Sequence, residues 1–210
     1  WGGRRKGAGR PRQEGSGVPH RARTPLASRH PVHVALRVES TLPSLRQSRL
    51  SALVRQCLRE ARERGGLRLV HFAIGHHHLH LLVEAQDATV LSRGLRGLSV
   101  RIARRLNAAL DRRGKVFVDR YFARPLKTPR EAYLALRYVL LNGRKHDAQR
   151  GRVWVRGALD PCSSAPFFDG WRGAPPQPID FEDAPVVAPQ TYLLRRGWRV
   201  NGLLDPDDIP

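Results

Sequence analysis

Four histidines crowd into His76-His77-His78-Leu79-His80-Leu81-Leu82-Val83-Glu84, with Gly75 just before them. Residues two apart in a strand share a face. Read as a strand, the segment puts His76, His78 and His80 on one side and Leu79, Leu81 and Val83 on the buried other. Two imidazoles on one strand face, separated by one large apolar residue, can bite a single metal ion. The same spacing also describes a polar strand face, or a His-rich tract that collects metal without chemistry. A helix would pair His76 with His80 instead, but the Leu-Leu-Val tail favours a strand.

A second stretch, Thr128 to His146, gives these histidines a partner. Thr128 suits an N-cap, Pro129 the first helical position, and Glu131 completes a capping box. Ala132, Ala135, Leu136, Val139 and Leu140 then recur at helical spacing, and Gly143 is the expected stop. Tyr138 and Asn142 lie four apart on the flank of that stripe. A phenol and an amide there could face whatever the stripe packs on, and the histidine strand is a candidate.

His78-Leu79-His80 resembles the His-hydrophobic-His motif of HUH endonucleases, and Tyr138-Val139-Leu140-Leu141-Asn142 resembles the helix carrying the nucleophile in single-tyrosine transposases. The resemblance points to the REP-associated tyrosine transposase branch. It runs from about Pro31 to His146 and continues weakly into Asp160 to Trp171. Two departures stand out: His76-His77 occupies the place of the usual Pro-Asn, and Asn142-Gly143 that of the usual Asn-Pro. The resemblance implies an α+β, ferredoxin-like two-layer sandwich with helices packed on an antiparallel sheet. It implies a single-stranded DNA endonuclease and strand transferase. In that role His78, His80 and Asn142 would hold a divalent ion, Mg2+ or Mn2+, and Tyr138 would form a covalent phosphotyrosine. Among the other tyrosines, Tyr133 faces away from Tyr138 on the helix, Tyr192 reads as a packing residue, and Tyr121 is the rival. Two other readings stand beside this one: a nucleic-acid-binding regulator of transposase descent that does not cut, and a water-using metal-dependent nuclease with His76 as a third ligand. Glu84 reads as a surface salt bridge or as a group orienting an imidazole.

The elements around these motifs follow from patterning. Val32, Val34, Leu36 and Val38 alternate as a half-buried strand, which leaves His33 on the other face as an ordinary exposed histidine. A helix is expected from Pro43 through an apolar stripe that contains Cys57, ended by Gly65-Gly66. Leu67 to Ile74 forms a strand that leads into the histidine strand as a hairpin. From Asp87 to about Asp111 a helix turns Leu91, Leu95, Leu98, Ile102 and Leu106 inward. Arg93, Arg96, Arg101, Arg104 and Arg105 fall outside that stripe with no carboxylate among them, an expected phosphate-tracking surface. Between Lys115 and Lys127, a short strand and turn interleave Arg120, Arg124 and Lys127 with Phe117, Tyr121 and Phe122. That pattern suits base stacking plus phosphate contact as well as an aromatic core.

The chain of 210 residues carries a formal charge of +20 and a pI near 11.6. Such a balance implies a polyanionic partner, here DNA, single-stranded or hairpin. No apolar run approaches the ~20 residues of a spanning helix. Cys57 and Cys162 lack metal spacing, which fits a reducing cytoplasm. The sequence begins at Trp1 and contains no Met, so its natural start is expected to lie upstream. Residues 1–31 read as a disordered basic arm. Within it Gly9-Arg10-Pro11-Arg12 resembles an AT-hook core or serves as a solvated basic tail. Residues 32–150 form the HUH-like catalytic domain. The 151–210 extension is Pro-rich and mildly acidic, and is expected to wrap around that domain, with one short docked helix after Thr191. Monomer and homodimer are both open.

Overall fold

The structure, a computed structural model, describes residues 25–173 and 180–210. Its strands are β1 (Val32–Arg37), β2 (Glu63–Arg64), β3 (Leu67–Ile74), β4 (His78–Ala85) and β5 (Phe122–Pro125). They form one antiparallel sheet in the order β2-β3-β4-β1-β5. Helices α1 (Ser48–Ala61) and α2 (Ala88–Ala109) cover one face, packing Leu50, Val54, Leu58, Leu95, Ile102 and Leu106 onto Val34, Leu36, Leu79, Leu81 and Val83. This is the expected α+β arrangement of sheet and helices.

The other face is covered too. Helix α3 (Pro129–Leu140) lays Ala132, Leu136, Val139 and Leu140 on Val70, Ala73 and Leu82. The C-terminal residues Phe168, Trp171, Leu193, Leu194 and Trp198 close the same cluster. Described parts of the extension, from Ala165 to Trp171 and from Leu193 to Leu204, therefore contribute to the core, whereas Val153 and Val155 stay exposed. The extension supplies a 3-10 turn at Ala165–Phe167, a four-residue helix α5 (Tyr192–Arg195) and a second 3-10 turn at Gly197–Asn201; α4 (Asn142–Ala148) precedes it. Tyr192, expected to pack, is 65% exposed. At the other end, Leu26 packs on the α1/α2 core. Arg10 and Arg12 lie outside the described residues.

Local chemistry explains most boundaries. Asp87 caps α2 by accepting from the backbone N–H groups of Thr89 and Val90, and Thr128 with Glu131 forms the expected capping box on α3. Helix α1 starts at Ser48 rather than Pro43, because the preceding loop is spent on other bonds: Leu45 N–H donates to the His76 carbonyl. Gly65-Gly66 does not end α1, which stops at Ala61. The pair instead forms the two-residue turn of the β2–β3 hairpin, where both φ angles are positive, +58° and +84°, as a type I′ turn requires.

Two details shape the site region. A β-bulge in β3 shifts the register between Leu69, opposite Val83, and His71, opposite Leu82. Val70 is the extra residue. Unshifted pairing would set Phe72 against His80; the bulge sets Ala73 there instead. The helix carrying Tyr138 also ends earlier than the sequence suggests. Leu141 leaves helical geometry (φ −106°, ψ 9°), and Asn142 opens α4.

Gly143 is the second residue of α4, not a stop. A methyl group there would overlap the Asp160 carboxylate. Asp160, 2% exposed at its side chain, holds Arg46 bidentately at 2.9 and 3.0 Å and accepts from Cys162 N–H. Removing one partner of a buried pair costs on the order of 3–5 kcal/mol. Asp160→Ala is therefore expected to lower the urea-unfolding free energy by about 3 kcal/mol, and Gly143→Ala to lower it by displacing the same carboxylate.

His71 is buried on β3 with Nδ1 3.1 Å from Ser164 Oγ and its ring edge-on to Phe168. Burial holds its pKa down to about 3, against 6.5 ordinarily. The unfolded chain binds the proton first, so this contribution to stability is complete above 6.5 and is lost as pH falls towards 3. Between pH 7 and pH 5 the loss is about 2 kcal/mol. Urea melts of His71→Gln at the two pH values are expected to lack that share of the acid sensitivity.

Candidate active site on the histidine strand

The face of β4 that carries His80 lies under α3, and cross-strand pairing fixes its neighbours. His80 stands between Ala35 of β1 and Ala73 of β3, and His78 stands opposite Arg37. Two alanines beside one imidazole leave room above the sheet. Tyr138 enters that room from the last turn of α3. Its ring is perpendicular to His80, with centroids 5.0 Å apart, and its Oη lies 3.5 Å from His80 Nε2. At that length the contact is at the outer limit of a hydrogen bond. His78 and His80 are near-parallel, with 6.2 Å between ring centroids.

The electrostatics keep these imidazoles neutral. Burial, reinforced by His33, His78 and His146, pushes the His80 pKa down to about 3. His78 is also lowered, by desolvation and then by Arg37, His146 and His77. A neutral imidazole retains the lone pair that a metal requires.

Asn142 is buried, and neither its amide oxygen nor its amide nitrogen has a hydrogen-bond partner. Sequence spacing put it one turn behind Tyr138 on one helix; the break at Leu141 puts it on the next. Lys145, one turn into α4, lies 5.5 Å from the Tyr138 ring centroid.

His76 departs from its expected face. It precedes β4 in the turn closed by Gly75 N–H and the His78 carbonyl. Its Nδ1 bonds Ser44 Oγ at 2.7 Å, and its Nε2 contacts the Arg150 guanidinium. With both nitrogens engaged it offers no lone pair as a third ligand. Glu84 is buried, not a surface group. It accepts from Gln190 N–H, Thr191 N–H and Thr191 O–H, and so ties the C-terminal segment to β4.

His33 is the residue that sequence reading passed over. It lies opposite Leu82 and Arg124 on the face of His80. Its Nε2 is 3.3 Å from His80 Nδ1, and its ring meets the Tyr138 ring edge-on at 5.8 Å. Desolvation, then Arg124, lowers its pKa to about 4. The signal was present, since His33 sits on the non-core side of an alternating strand, but alternation does not say which strand lies alongside.

The expected basic surface divides. Helix α2 packs on the sheet face opposite His80, and its Arg101 and Arg105 are bound to Glu60 of α1 at 2.6 and 2.8 Å. Arg93, Arg96 and Arg104 are exposed on that remote side. On the site side, Arg37 is exposed opposite His78, and Arg124, paired with Glu131, lies opposite His33. Arg120 and Lys127 flank β5 and are exposed. Of the interleaved aromatics, Phe117 and Tyr121 pack on the α1/α2 core, while Phe122 is 64% exposed.

Among the described residues, no three His, Cys, Asp or Glu side chains cluster as a metal site, and no helix is long and apolar enough to cross a membrane.

Comparison with known proteins adds the family. Among solved structures, the chain is similar to a REP-associated tyrosine transposase bound to a REP hairpin. The TM-score is 0.54 at 12% identity, covering 82% of this chain and 100% of that one; this likeness concerns the fold. A protein from Deinococcus radiodurans R1 is 18% identical, covering 53% of this chain and 87% of that one, with a TM-score of 0.40. No curated protein sequence matches. The family described as "Transposase IS200 like" matches residues 27–139, a span that holds β1, His78, His80 and Tyr138 and stops before Asn142. With more than half of its length matched, the chain belongs to the IS200-like transposase family.

Proposed function

We propose that this protein cuts and rejoins single-stranded or hairpin DNA through a covalent phosphotyrosine at Tyr138, as a transposase of the REP-associated type. The observation that carries the reading is the approach of Tyr138 Oη to His80 Nε2, 3.5 Å apart on one sheet face. The family supports a transposase, and the solved structure that resembles the chain was bound to a REP hairpin.

The residues present fit a divalent ion. The Asn142 amide is buried without a partner, a costly state that an added ligand would relieve. His78 and His80 are held neutral. His78, His80 and Asn142 would hold Mg2+ or Mn2+, which acts as a Lewis acid on the phosphoryl oxygens. An amide oxygen, unlike a carboxylate, leaves the positive charge of such a site uncancelled.

The chain's own part is positional. Tyr138 is fixed by α3, whose apolar face is buried, so its hydroxyl is presented rather than searching for the phosphate. Attack by its oxygen on phosphorus forms the Tyr–O–P ester and breaks one sugar–oxygen–phosphorus link. The phenol loses its proton, and the departing sugar oxygen gains one. Because the ester keeps the bond energy, a second strand end can reverse the step. Arg37, Arg124, Lys127 and Lys145 would lead the strand across this face. Arg93, Arg96 and Arg104 form a second basic surface behind the sheet, for the flanking DNA.

Incubation with single-stranded oligonucleotides and Mn2+ is expected to give a protein–DNA band that resists denaturation. Tyr138→Phe should abolish the band with DNA binding near normal, and Tyr121→Phe should not. Cleavage without a band would favour a water-using nuclease, and binding without either would favour a regulator.

Affinity for single strands is expected to fall steeply with salt. Arg37→Ala with Arg124→Ala should reduce the slope of log affinity against log salt by about 0.7 for each phosphate that is no longer neutralised. Arg93→Ala with Arg96→Ala is expected to weaken short oligonucleotides less than that pair does. Fluorescence anisotropy across a salt titration measures both.

A further inference from the structure

His80 presents two ring nitrogens to two different partners. Nδ1 lies 3.3 Å from His33 Nε2, and Nε2 lies 3.5 Å from Tyr138 Oη. A neutral imidazole carries one N–H, so only two arrangements satisfy both contacts. In one, His80 donates from Nδ1 to His33, and Nε2 is bare and accepts from the tyrosine hydroxyl. In the other, His33 donates to His80 Nδ1, and His80 spends its Nε2–H on the tyrosine oxygen. The second leaves no lone pair at Nε2. It also asks a phenol oxygen, a poor acceptor, to take a bond from imidazole, when phenol is the better donor and imidazole nitrogen the better acceptor.

We infer that His33 is a positioning residue of the active site, which accepts the Nδ1 proton of His80 and thereby holds Nε2 bare and aimed at Tyr138 and the metal. The assignment rests on the reading of His78, His80 and Asn142 as ligands. Metal-binding histidines commonly donate their second ring N–H to an acceptor that fixes tautomer and orientation, and loss of that acceptor costs about 10–100-fold in metal affinity or activity. The usual acceptor is a carboxylate or a carbonyl. Here the neighbouring strand supplies an imidazole, since His33 is opposite Leu82 and thus diagonal to His80. Its ring is tilted 32° to His80 at 5.5 Å and edge-on to Tyr138, so one side chain braces both the ligand and the nucleophile. Ala35, two residues along β1 and directly opposite His80, leaves space for that diagonal.

Two measurements on the full chain test this. Nitrogen-15 NMR of the imidazoles, without metal and at neutral pH, reports the tautomer directly, with His80 assigned by its loss in His80→Asn. The expected result is protonated Nδ1 and bare Nε2 in the wild type, with the bias lost in His33→Ala. A wild-type His80 protonated on Nε2 would overturn the inference without involving any variant. Mn2+ titration followed by electron paramagnetic resonance is expected to show about a tenfold or greater loss of affinity in His33→Ala. His33→Gln, whose side-chain carbonyl can accept the same proton, should recover part of it. Equal Mn2+ affinity in wild type and His33→Ala would sink the positioning role. Absence of Mn2+ binding in the wild type would count against the metal reading instead, and the tautomer would then stand or fall on its own.

Discussion

The register of β4 between its two neighbours is the constraint on which the site depends. His80 is flanked by Ala35 and Ala73, and each alanine leaves a gap that a larger side chain would fill. The gap on the β3 side exists because Val70 bulges. Without that extra residue, Phe72 would take the place of Ala73 and project into the space of the Tyr138 ring. A one-residue change of register turns a strand inside out. Here it is confined to one strand, so that Leu69 and Phe72 both reach the α1/α2 core while Val70 and His71 both reach the α3 side. The fold therefore accommodates two cores and one polar opening in a single sheet.

Electrostatics work with this packing. The chain is strongly cationic, yet its most enclosed ring nitrogens are uncharged. Desolvation lowers the pKa of His33 and His80, and nearby Arg124 and His146 lower it further. A positive environment is usually a cost to a cationic side chain. For an imidazole that must stay neutral it is an aid, and the same cations suit a polyanionic strand. Arg37 and Arg124 lie on the face of His80, whereas the most conspicuous arginine run, on α2, lies behind it.

The C-terminal segment is structural material for the tyrosine helix. Trp198 is 1% exposed and packs in the cluster that seats Leu136 and Val139. Glu84, two residues beyond Leu82 on the site strand, secures the segment at Gln190 and Thr191. Asp160 secures its start through Arg46, beside the first turn of α4. The family match ends at residue 139, but the cluster on which Tyr138 packs is completed by Ala165, Phe168, Trp171, Leu193, Leu194, Trp198 and Leu204.

Patterning along the chain was enough to place most of the elements around the candidate site. Alternation in Val32–Val38 and after His78 marked strands, the stripe after Thr128 marked the tyrosine helix, and its capping box fixed the start, because these signals depend only on neighbours in the chain. The placement of His78 and His80 on one strand and of Tyr138 on the following helix was legible for the same reason. Tertiary structure decided what neighbours cannot encode. Strand order brought His33 beside His80 and sent α2 behind the sheet. Pairing geometry bulged Val70, the helix broke at Leu141, and Gly143, which read locally as a stop, lies inside α4 close against the Asp160 carboxylate. Burial turned Glu84 from a surface charge into an anchor. For His33, Gly143 and Glu84 the surroundings were set by a partner distant in sequence, through hydrogen bonds and close packing that exist only once the sheet has formed.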